Sequence, residues 1–512
     1  MHRDPCPPRP RRRRALALLG LGALLSLAGC GSDDSAPMTD DDSIRAEWLP
    51  STDDMMAWIT SVVGQGVRRP GYEADDRTTA WAAERFRELG LQNVRLEPIT
   101  VQRWEPRDWS LTLSRPGRPN DRLSLPCYPL PFSAETTGVR GELALSAGTA
   151  SPTLNGKIAV FENTFLTLPQ HLIRTLFGWP YDPQNEFDTL VQTLPFSDRF
   201  SDAMGPEIAA GAIGFIGILR LPFETDKYYV PYNGVEQPIP GVWVSSANGD
   251  TLLQYLAAGT AQAEIVLERS LTPARSYNIV GELPGASDEW IIIGSHHDAP
   301  WASAVEDASG IAMVLAQAQY WAQVPRAERP HNLLFLLNGG HMSGGAGLLD
   351  FVDTHGVFVQ DEVVAEIHLE HAARETRGEN GQLVVTDEPE VRWWFTSFIP
   401  ALEDAVFQAL CAEDLRRSFI MPVEGFPPGS LHPPTDGAFF HPHAPVVNFL
   451  TAPMYLFDEQ DTLDKIHEDS LVPVTRAAIR IINSLRDQTA RSLRDSVYPA
   501  PRREIPPCRS AS

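Results

Sequence analysis

The sequence predicts an α/β fold with a mainly parallel central sheet over residues 272–486. Runs of apolar residues alternate there with helical patterns, and each run is apolar almost throughout. Such strands, separated by helices, are typical of a parallel sheet covered on both faces. Short β-like runs with many Pro and Gly residues predict a β-rich insertion over residues 111–271. The four sheet runs are Trp290–Ile293, Leu333–Leu337, Val363–Leu369 and Pro445–Leu450.

Residues 1–29 are typical of a signal peptide that is removed from the mature protein. Arg residues precede an apolar run from Ala15 to Leu27, and the segment Leu-Ala-Gly-Cys ends at Cys30. This ending resembles a bacterial lipobox, which implies cleavage before Cys30 and lipid attachment to its thiol. The alternative is an ordinary signal peptide with an incidental Cys. We expect a lipid-anchored protein of the bacterial cell envelope, and Gly31 favours the outer membrane, facing the periplasm or the exterior.

Residues 30–46 are acidic and small, and we interpret them as a flexible tether. The formal net charge of the chain is −24. Because the first 29 residues hold six Arg and one Asp, the mature chain carries a charge near −29. This charge argues against nucleic acid and anionic lipid as partners, so the expected membrane contact is the lipid anchor alone.

Three cysteines follow Cys30, namely Cys127, Cys411 and Cys508. An odd number of cysteines is not a disulfide framework, although one bridge is feasible in an oxidising compartment. The sequence leaves open whether any two of them pair.

Residues 47–110 begin with helical patterns and form the first part of the α/β domain. Met55, Trp58, Ile59 and Val62 recur at helical spacing, and a strand is predicted at Val94–Glu97. In the second part, a further helix carries Ile311 to Ala322, and a pattern at Val472–Leu485 predicts the last helix. The tail, residues 487–512, is rich in Pro and Arg and is expected to be poorly ordered.

Three segments of the β-rich insertion carry a resemblance of their own. Gly156–Phe161 and Ile239–Val244 are predicted strands, and Glu207–Ile216 is a helix end that leads into a third. Their spacing resembles the protease-associated domain, a non-catalytic cover inserted into secreted peptidases; the alternative is an unrelated β-rich insertion. Residues 165–205 are long and apolar for a loop, and we interpret them as a lid or helical flap.

Three consecutive predicted strands end in His or carboxylate residues. The first leads to His296, His297 and Asp298, the second to His341, and the third to Glu370 and His371. Sites in open α/β sheets form beyond the carboxyl ends of the strands, so these clusters should meet at one edge. Eleven of the 13 His residues lie between residues 296 and 467, which favours a metal or acid–base site over scattered structural histidines.

These segments also resemble the co-catalytic zinc aminopeptidase family, which includes bacterial leucyl aminopeptidases, glutamate carboxypeptidase and the transferrin receptor. The resemblance covers residues 47–486 and implies a three-layer α/β fold with an inserted protease-associated domain. The motifs that carry it are Trp290–Asp298, Ser303–Ala312, Ser276–Gly285 and Asp461–Ile466.

The site residues match the family pattern only in part. The resemblance implies that His296 is the first metal ligand and that the Asp298 carboxylate orients its ring. Glu306 stands at the bridging Asp of the family, with Asp307 beside it, and Glu370 stands at a later Asp ligand. Which of Glu306 and Asp307 is a ligand is left open.

The remaining family positions are replaced. The tandem Glu pair, a base followed by a ligand, falls on His341 and Met342, and the final His ligand falls on Phe457. Met and Phe are not zinc ligands in such a site, so a two-zinc centre is not expected. One zinc ion, or another divalent metal, remains feasible with His296, His341, Glu370 and one of the two neighbouring carboxylates; the alternative is a decayed site.

The resemblance thus implies a metal-dependent hydrolase of peptide or small amide bonds, in which His341 and Asp298 take catalytic roles. The rival hypothesis is a catalytically silent binding lipoprotein that keeps the cleft. His371, Asp436 and His441 are candidate residues on the substrate side, and His432 and His443 lie in the same Pro-rich region.

Overall fold

The computed structural model describes residues 44–176, 178–197, 199–200, 202–424, 435–496 and 504–509. The predicted signal peptide, Cys30 and most of the tether lie outside the described residues. Within those ranges, no helix has both the length and the apolarity that crossing a bilayer requires.

Eleven α-helices lie in the described part of the chain. The first begins with a capping box, in which the Ser51 side chain and Asp54 bond each other's backbone N–H. A short helix capped by Thr489 follows the helix predicted to be the last, so that prediction was wrong. The helices are Thr52–Val63 (α1), Glu73–Glu88 (α2), Gln170–Leu176 (α3), Gly205–Ala209 (α4), Ser246–Ala257 (α5), Gly310–Gln323 (α6), Ala346–Glu362 (α7), Pro400–Ala412 (α8), Gly437–Phe440 (α9), Glu468–Ser484 (α10) and Ala490–Arg494 (α11).

The strands include the four predicted apolar runs, each within three residues of its predicted bounds. In chain order, the described strands are Gln92–Arg115 (β1), Arg118–Leu125 (β2), Tyr128–Pro129 (β3), Thr136–Leu145 (β4), Ile158–Pro169 (β5), Trp179–Tyr181 (β6), Val191–Ser197 (β7), Gly214–Arg220 (β8), Gly241–Val244 (β9), Gln262–Leu283 (β10), Trp290–His296 (β11), Asn332–Asn338 (β12), Val363–Leu369 (β13), Arg374–Glu379 (β14), Gln382–Pro389 (β15), Arg392–Thr396 (β16), Ser418–Pro422 (β17) and Val446–Thr451 (β18).

The centre of the main sheet is parallel, in the order β12–β11–β13–β18. Antiparallel strands flank it, β10 beside β12 and β16 beside β18. Alternate residues of β11 serve two cores: Ile291 and Ile293 pack in the cluster that holds α6 and α10, whereas Ile292 packs in the cluster that holds α7 and α9. Helices therefore cover both faces, and the predicted α/β class with a mainly parallel central sheet is confirmed.

Residues 111–271 contain the predicted strands, which appear as β5, β8 and β9 and pair in parallel. They enclose a core of their own, in which Ile216, Ile218 and Leu252 are fully buried. The two long strands β1 and β10 pair antiparallel through both this part and the α/β part. That the insertion is a protease-associated domain stays a prediction.

The segment interpreted as a lid contains secondary structure. β7 pairs with β5, and β6 pairs antiparallel with β17, so the segment extends the edge of the main sheet. A lid role stays a prediction.

The tail prediction needs a correction for the residues that the structure describes. Cys508 forms a disulfide with Cys411 on α8, and the Gln408 side chain bonds the backbone of Pro507 and Arg509. Residues 504–509 are thus attached to α8, whereas Cys127 is a buried free thiol.

Candidate metal centre

The three strand ends meet at one edge of the sheet, as predicted. His296 ends β11 and pairs in register with Asn338 at the end of β12, three residues before His341. Ligand atoms of His296, Glu306 and His341 lie within 4.8 Å of one another, and so do those of His296, Glu370 and His371. His296 belongs to both groups, so the predicted clusters form one shared site.

His296 is completely buried, and its ring is held by the backbone. The Nδ1 atom lies 2.9 Å from the carbonyl oxygen of Asp298, and Nε2 has no hydrogen-bond partner. Burial, reinforced by His341, lowers the pKa of His296 well below its usual value. The ring is therefore neutral, with a proton on Nδ1 and a lone pair on Nε2.

His341 is oriented by a carboxylate that the sequence placed on the substrate side. Its Nδ1 lies 2.6 Å from Asp436 Oδ1, and Asp436 also accepts from the Asn338 amide. Burial lowers the pKa of His341, but the attraction of Asp436 outweighs it and raises that pKa to about 10. Because Asp436 is fully buried behind the ring, it is a positioning residue and not a substrate contact.

Glu306 and Asp307 have different surroundings, although both approach His296 Nε2, Asp307 Oδ2 at 3.8 Å. Asp307 accepts hydrogen bonds from the Ser295 hydroxyl and from the N–H groups of Gly310 and His371. Glu306 turns both oxygens into the cluster, and Oε1 lies 3.3 Å from His296 Nε2 and 3.9 Å from His341 Nε2. Glu306 is therefore the candidate ligand, and Asp307 fixes the loop.

Two residues outside the predicted set hold the loop that carries Glu306 through hydrogen bonds to its backbone. Asp461 accepts from the N–H groups of Val305 and Glu306 at 2.8 and 2.9 Å. The buried guanidinium of Arg68 donates to the carbonyl oxygens of Ser303 and Glu306. Asp461 lies within a recognised motif, but no local pattern pointed to Arg68.

His371 lies on the opposite side of Glu306. Its Nδ1 donates to the Thr451 carbonyl at 2.9 Å, and its Nε2 lies 2.7 Å from Glu306 Oε2. Burial lowers the pKa of His371, but Glu306 outweighs it and raises that pKa to about 10. His371 thus holds a proton at Nε2 and faces the second oxygen of Glu306.

Glu370 lies in a charged row along β13. Glu366, His368 and Glu370 alternate along the strand and share one face. His368 was not among the predicted site residues, although the alternation that places it there is visible in the sequence. It contacts Glu366 through Nδ1 at 2.8 Å and Glu370 through Nε2 at 3.2 Å. Burial raises the pKa of Glu370, but the hydrogen bond and charge of His368 outweigh it, so the net shift is downward.

Asp298 does not act on the His296 ring through its carboxylate, so that expectation was wrong. The carboxylate oxygens accept instead from the N–H groups of His341 and Met342, at 3.0 and 2.7 Å. Asp298 therefore shapes the turn after β12, and its backbone carbonyl orients His296.

Two family ligand positions hold apolar side chains. Met342 is fully buried, and Phe457 is 2% exposed. Phe457 packs against aromatic rings from the insertion, of which Tyr232 also stacks on His341 with the ring centroids 5.4 Å apart. The other rings around Phe457 are Phe196, Phe200 and Tyr228.

His441 belongs to none of the ligand groups found among the described residues. Its Nδ1 lies 3.8 Å from Glu424 Oε1, beyond the short helix α9. The carbonyl of His443 accepts from Arg494, and His432 lies outside the described residues.

Comparisons with known proteins agree with this geometry. Residues 278–482 match the profile of peptidase family M28. The fold is similar to BSAP, a zinc aminopeptidase from Bacillus subtilis, with a TM-score of 0.61 and 16% identity over 88% of this chain and 99% of that chain. The fold is also similar to a peptidase M28 precursor from Shewanella amazonensis, with a TM-score of 0.62 and 19% identity over 89% of this chain and 95% of that chain.

An aminopeptidase from Aneurinibacillus sp. strain AM-1 gives a TM-score of 0.58 and 17% identity over 86% of this chain and 94% of that chain. No curated protein matches the sequence. Residues 278–482 are thus similar to peptidase family M28, the fold is that of zinc aminopeptidases, and these findings support a metallopeptidase-type hydrolase.

Proposed function

We propose that this protein is a metal-dependent hydrolase of amide bonds in peptides or peptide-like molecules, with one zinc ion held by His296, Glu306 and His341. One observation carries the proposal. Two buried ligand atoms without hydrogen-bond partners, His296 Nε2 and Glu306 Oε1, converge beside His341 Nε2. Unpaired polar atoms are costly when buried, and a cation among them would remove that cost.

The donor set suits zinc. Two imidazoles and one carboxylate are the ligand types of catalytic zinc sites, which keep a further position for water or substrate. His296 and His341 each direct Nδ1 at an acceptor, which leaves Nε2 for an ion, as in other carboxylate- or carbonyl-oriented metal ligands. Zinc in such a position polarises a carbonyl group and lowers the pKa of bound water.

The neighbouring residues supply the proton chemistry of amide cleavage. The leaving nitrogen needs a proton, and His371 holds one at Nε2 on the far side of Glu306. Glu370 reaches the same group of atoms as His296 and His371 and adds negative charge beside the ion. Because His296, Glu306 and Glu370 are at most 1% exposed, bulk water is largely excluded from the reacting atoms.

One observation favours a second candidate, a silent binding protein. Phe457 stands where the family has a ligand, and rings of the insertion cover it and His341. Such a protein would keep the fold and the cleft without an ion.

Metal content distinguishes the two candidates. After dialysis against zinc, we expect one ion per chain in the wild type and none in His296→Ala, with His341→Ala weakened by roughly 10–100-fold. His355→Ala removes a histidine that pairs with Glu97 outside the centre and serves as the matched control. Hydrolysis of an aminoacyl and dipeptide panel should follow the metal content. Two ions per chain would refute the one-ion site, and no ion in any variant would establish the silent binding protein.

We further propose that the mature chain is anchored to the bacterial envelope through a lipid on Cys30. The support is the lipobox-like segment that ends at Cys30 and the acidic tether after it. Mass spectrometry of the mature N-terminus should find an acylated Cys30. An unmodified N-terminus at another residue would disprove the anchor.

A further inference from the structure

A cavity of about 520 Å³ lies between the insertion and the α/β part, and none of the candidate metal ligands lines it. One wall comes from the turn before β7 and from β7 itself, and the other comes from β14 and the residues around β15. The volume falls within the range of small-ligand sites. Its lining includes three carboxylates and two guanidinium groups, those of Glu186, Glu375, Glu390, Arg377 and Arg417.

Both arginines of the lining are already neutralised by carboxylates. Arg417 donates to Glu186 at 2.7 Å and to Glu375 at 2.8 Å. Arg377 donates to the other oxygen of Glu375 at 2.8 Å. These contacts occupy two of the three carboxylates, so the cavity does not offer a free cation to an anionic ligand.

Glu390 is the carboxylate without a cation. It is 4% exposed, and in the described part of the chain no basic side chain lies within ion-pair distance of it. Its two hydrogen bonds, from Gln192 Nε2 at 3.1 Å and from the Val391 N–H at 2.8 Å, both go to Oε1. Burial, with a contribution from Glu375, raises the pKa of Glu390 to about 8, and the Val391 N–H, Arg417 and Gln192 offset this only in part.

Apolar side chains line the cavity beside this carboxylate. They are suited to the methylene groups of a long side chain with a charged end, which remain in apolar contact while the charge meets a polar partner. These residues are Leu190, Val191, Pro222 and Met454.

The cavity borders the metal centre through the backbone. The N–H of Glu390 donates to the carbonyl of Ala373, two residues after His371. Gln192, which holds Glu390, also donates to the carbonyl of Ala452, the residue after Thr451, and Thr451 accepts from His371. A ligand in the cavity therefore lies beside the segments that carry the centre.

We propose that this cavity binds an alkylguanidinium or alkylammonium group, as in an arginine or lysine side chain, with Glu390 as the counter-ion. If the cavity takes part in substrate recognition, the substrates are peptides with a basic residue, and this part of the inference rests on the proposed function. Binding of the cation itself does not depend on hydrolysis.

Calorimetric titration of the purified protein with n-butylguanidinium and its neutral analogue n-butylurea tests the site at about pH 9, where Glu390 is ionised and the guanidinium keeps its charge. We expect the wild type to bind the cation at least about tenfold more tightly than the urea, because a charge-assisted hydrogen bond is stronger than a neutral one. Glu390→Gln keeps the shape and both hydrogen bonds of the side chain and should weaken only the cation, by about tenfold. Glu268→Gln removes the same charge from an exposed position and should change neither ligand.

A second variant tests the site independently in case Glu390→Gln does not fold. Val191 is 55% exposed at the rim, so Val191→Lys is tolerated by the fold and brings an ammonium group that competes with the ligand. It should also weaken the cation. Equal binding of the two ligands, absence of binding, or full binding by both cavity variants would overturn the inference. No turnover is measured, so an inactive protein that passes this test would contradict only the proposed function.

Discussion

The imidazole rings of His296 and His341 lie parallel, with their centroids 4.0 Å apart and 7° between their planes. Both rings are held from behind, His296 by a backbone carbonyl and His341 by Asp436, and both direct Nε2 toward Glu306 Oε1. Two imidazoles at this distance cannot both be charged at low cost, since like charges repel strongly in a buried site. Only one of the two rings is therefore protonated, which agrees with a neutral His296 beside a protonated His341.

Zinc binding should release protons near neutral pH. Asp436 raises the pKa of His341 to about 10 against the effect of burial, so the metal-free ring holds a proton on Nε2 that an ion must displace. Zinc affinity should accordingly rise as the pH rises from about 6 to about 9. Calorimetry in buffers of different ionisation enthalpy measures the released protons, and a result of zero near neutral pH would exclude His341 as a ligand.

Asp436→Asn should weaken zinc binding by about 10–100-fold without unfolding the protein, because the amide oxygen still accepts from His341 but carries no charge. Competition with a chromogenic chelator measures the affinity. Glu424→Gln, which changes a carboxylate beside His441, is the control and should bind zinc like the wild type. Unchanged affinity in Asp436→Asn would mean that Asp436 does not support a ligand.

Met342→Glu should not create a second metal site. Phe457 still occupies the other family ligand position, and His371 already contacts the second oxygen of Glu306 at 2.7 Å. The stoichiometry should stay at one ion per chain, while the buried new carboxylate lowers the thermal stability. Met342→Leu retains the apolar packing and serves as the comparison. Two ions in Met342→Glu would show that the second site is not lost for want of ligands.

Tyr232→Ala tests whether the insertion covers the substrate route. The Tyr232 ring stacks on His341, so its loss should raise KM for an amide substrate by roughly 3–10-fold, which corresponds to the free energy of one aromatic contact. The variant should still bind one ion. Tyr232→Phe keeps the ring and should behave like the wild type. An unchanged KM, or loss of the ion, would contradict a covering role; the experiment assumes that the protein hydrolyses amides.

Asp458 should make the protein less stable as the pH rises. Burial raises its pKa to about 7 from an ordinary value of 3.8, so the folded state holds a proton that the unfolded chain has lost. The contribution of Asp458 to the free energy of unfolding is complete below about pH 4 and is lost as the pH rises through about 7. Its total size is on the order of 2–4 kcal/mol. Asp458→Asn should reduce this fall when urea denaturation is compared at about pH 5 and pH 8. Asp353→Asn, on the exposed face of α7, should not reduce it. Equal pH dependence in wild type and Asp458→Asn would refute the buried-proton explanation.

The strand ends could be predicted because a parallel sheet places the carboxyl ends of its strands together, which brought His296, His341 and Glu370 into one site. The contact between His341 and Asp436 could not be predicted, because Asp436 lies 95 residues further along the chain and only the folded backbone brings the two together. The role of Asp298 was predicted wrongly because a sequence does not show whether the backbone oxygen or the side-chain oxygens of a residue make a contact.

The insertion and the tail show the same division. Short β-like runs between Pro and Gly residues predicted β5, β8 and β9, since these patterns are local. The disulfide between Cys411 and Cys508 and the pairing of β6 with β17 are contacts between distant segments, so no local pattern indicated them.

The pairing of β1 with β10 has a consequence for how a substrate enters. The two strands pair from Gln92 opposite Glu282 to Ser114 opposite Gln262, with register shifts between Gln92 and Arg95 and between Pro106 and Asp108. The insertion is therefore joined to the α/β part by a continuous two-stranded ribbon and not by two flexible linkers. Moving the insertion away from the α/β part would bend or break a hydrogen-bonded ladder, so we expect the spacing between the two parts to be largely fixed. Selection among substrates should then depend on molecular size at a fixed aperture, with side chains such as Tyr232 as the moving parts.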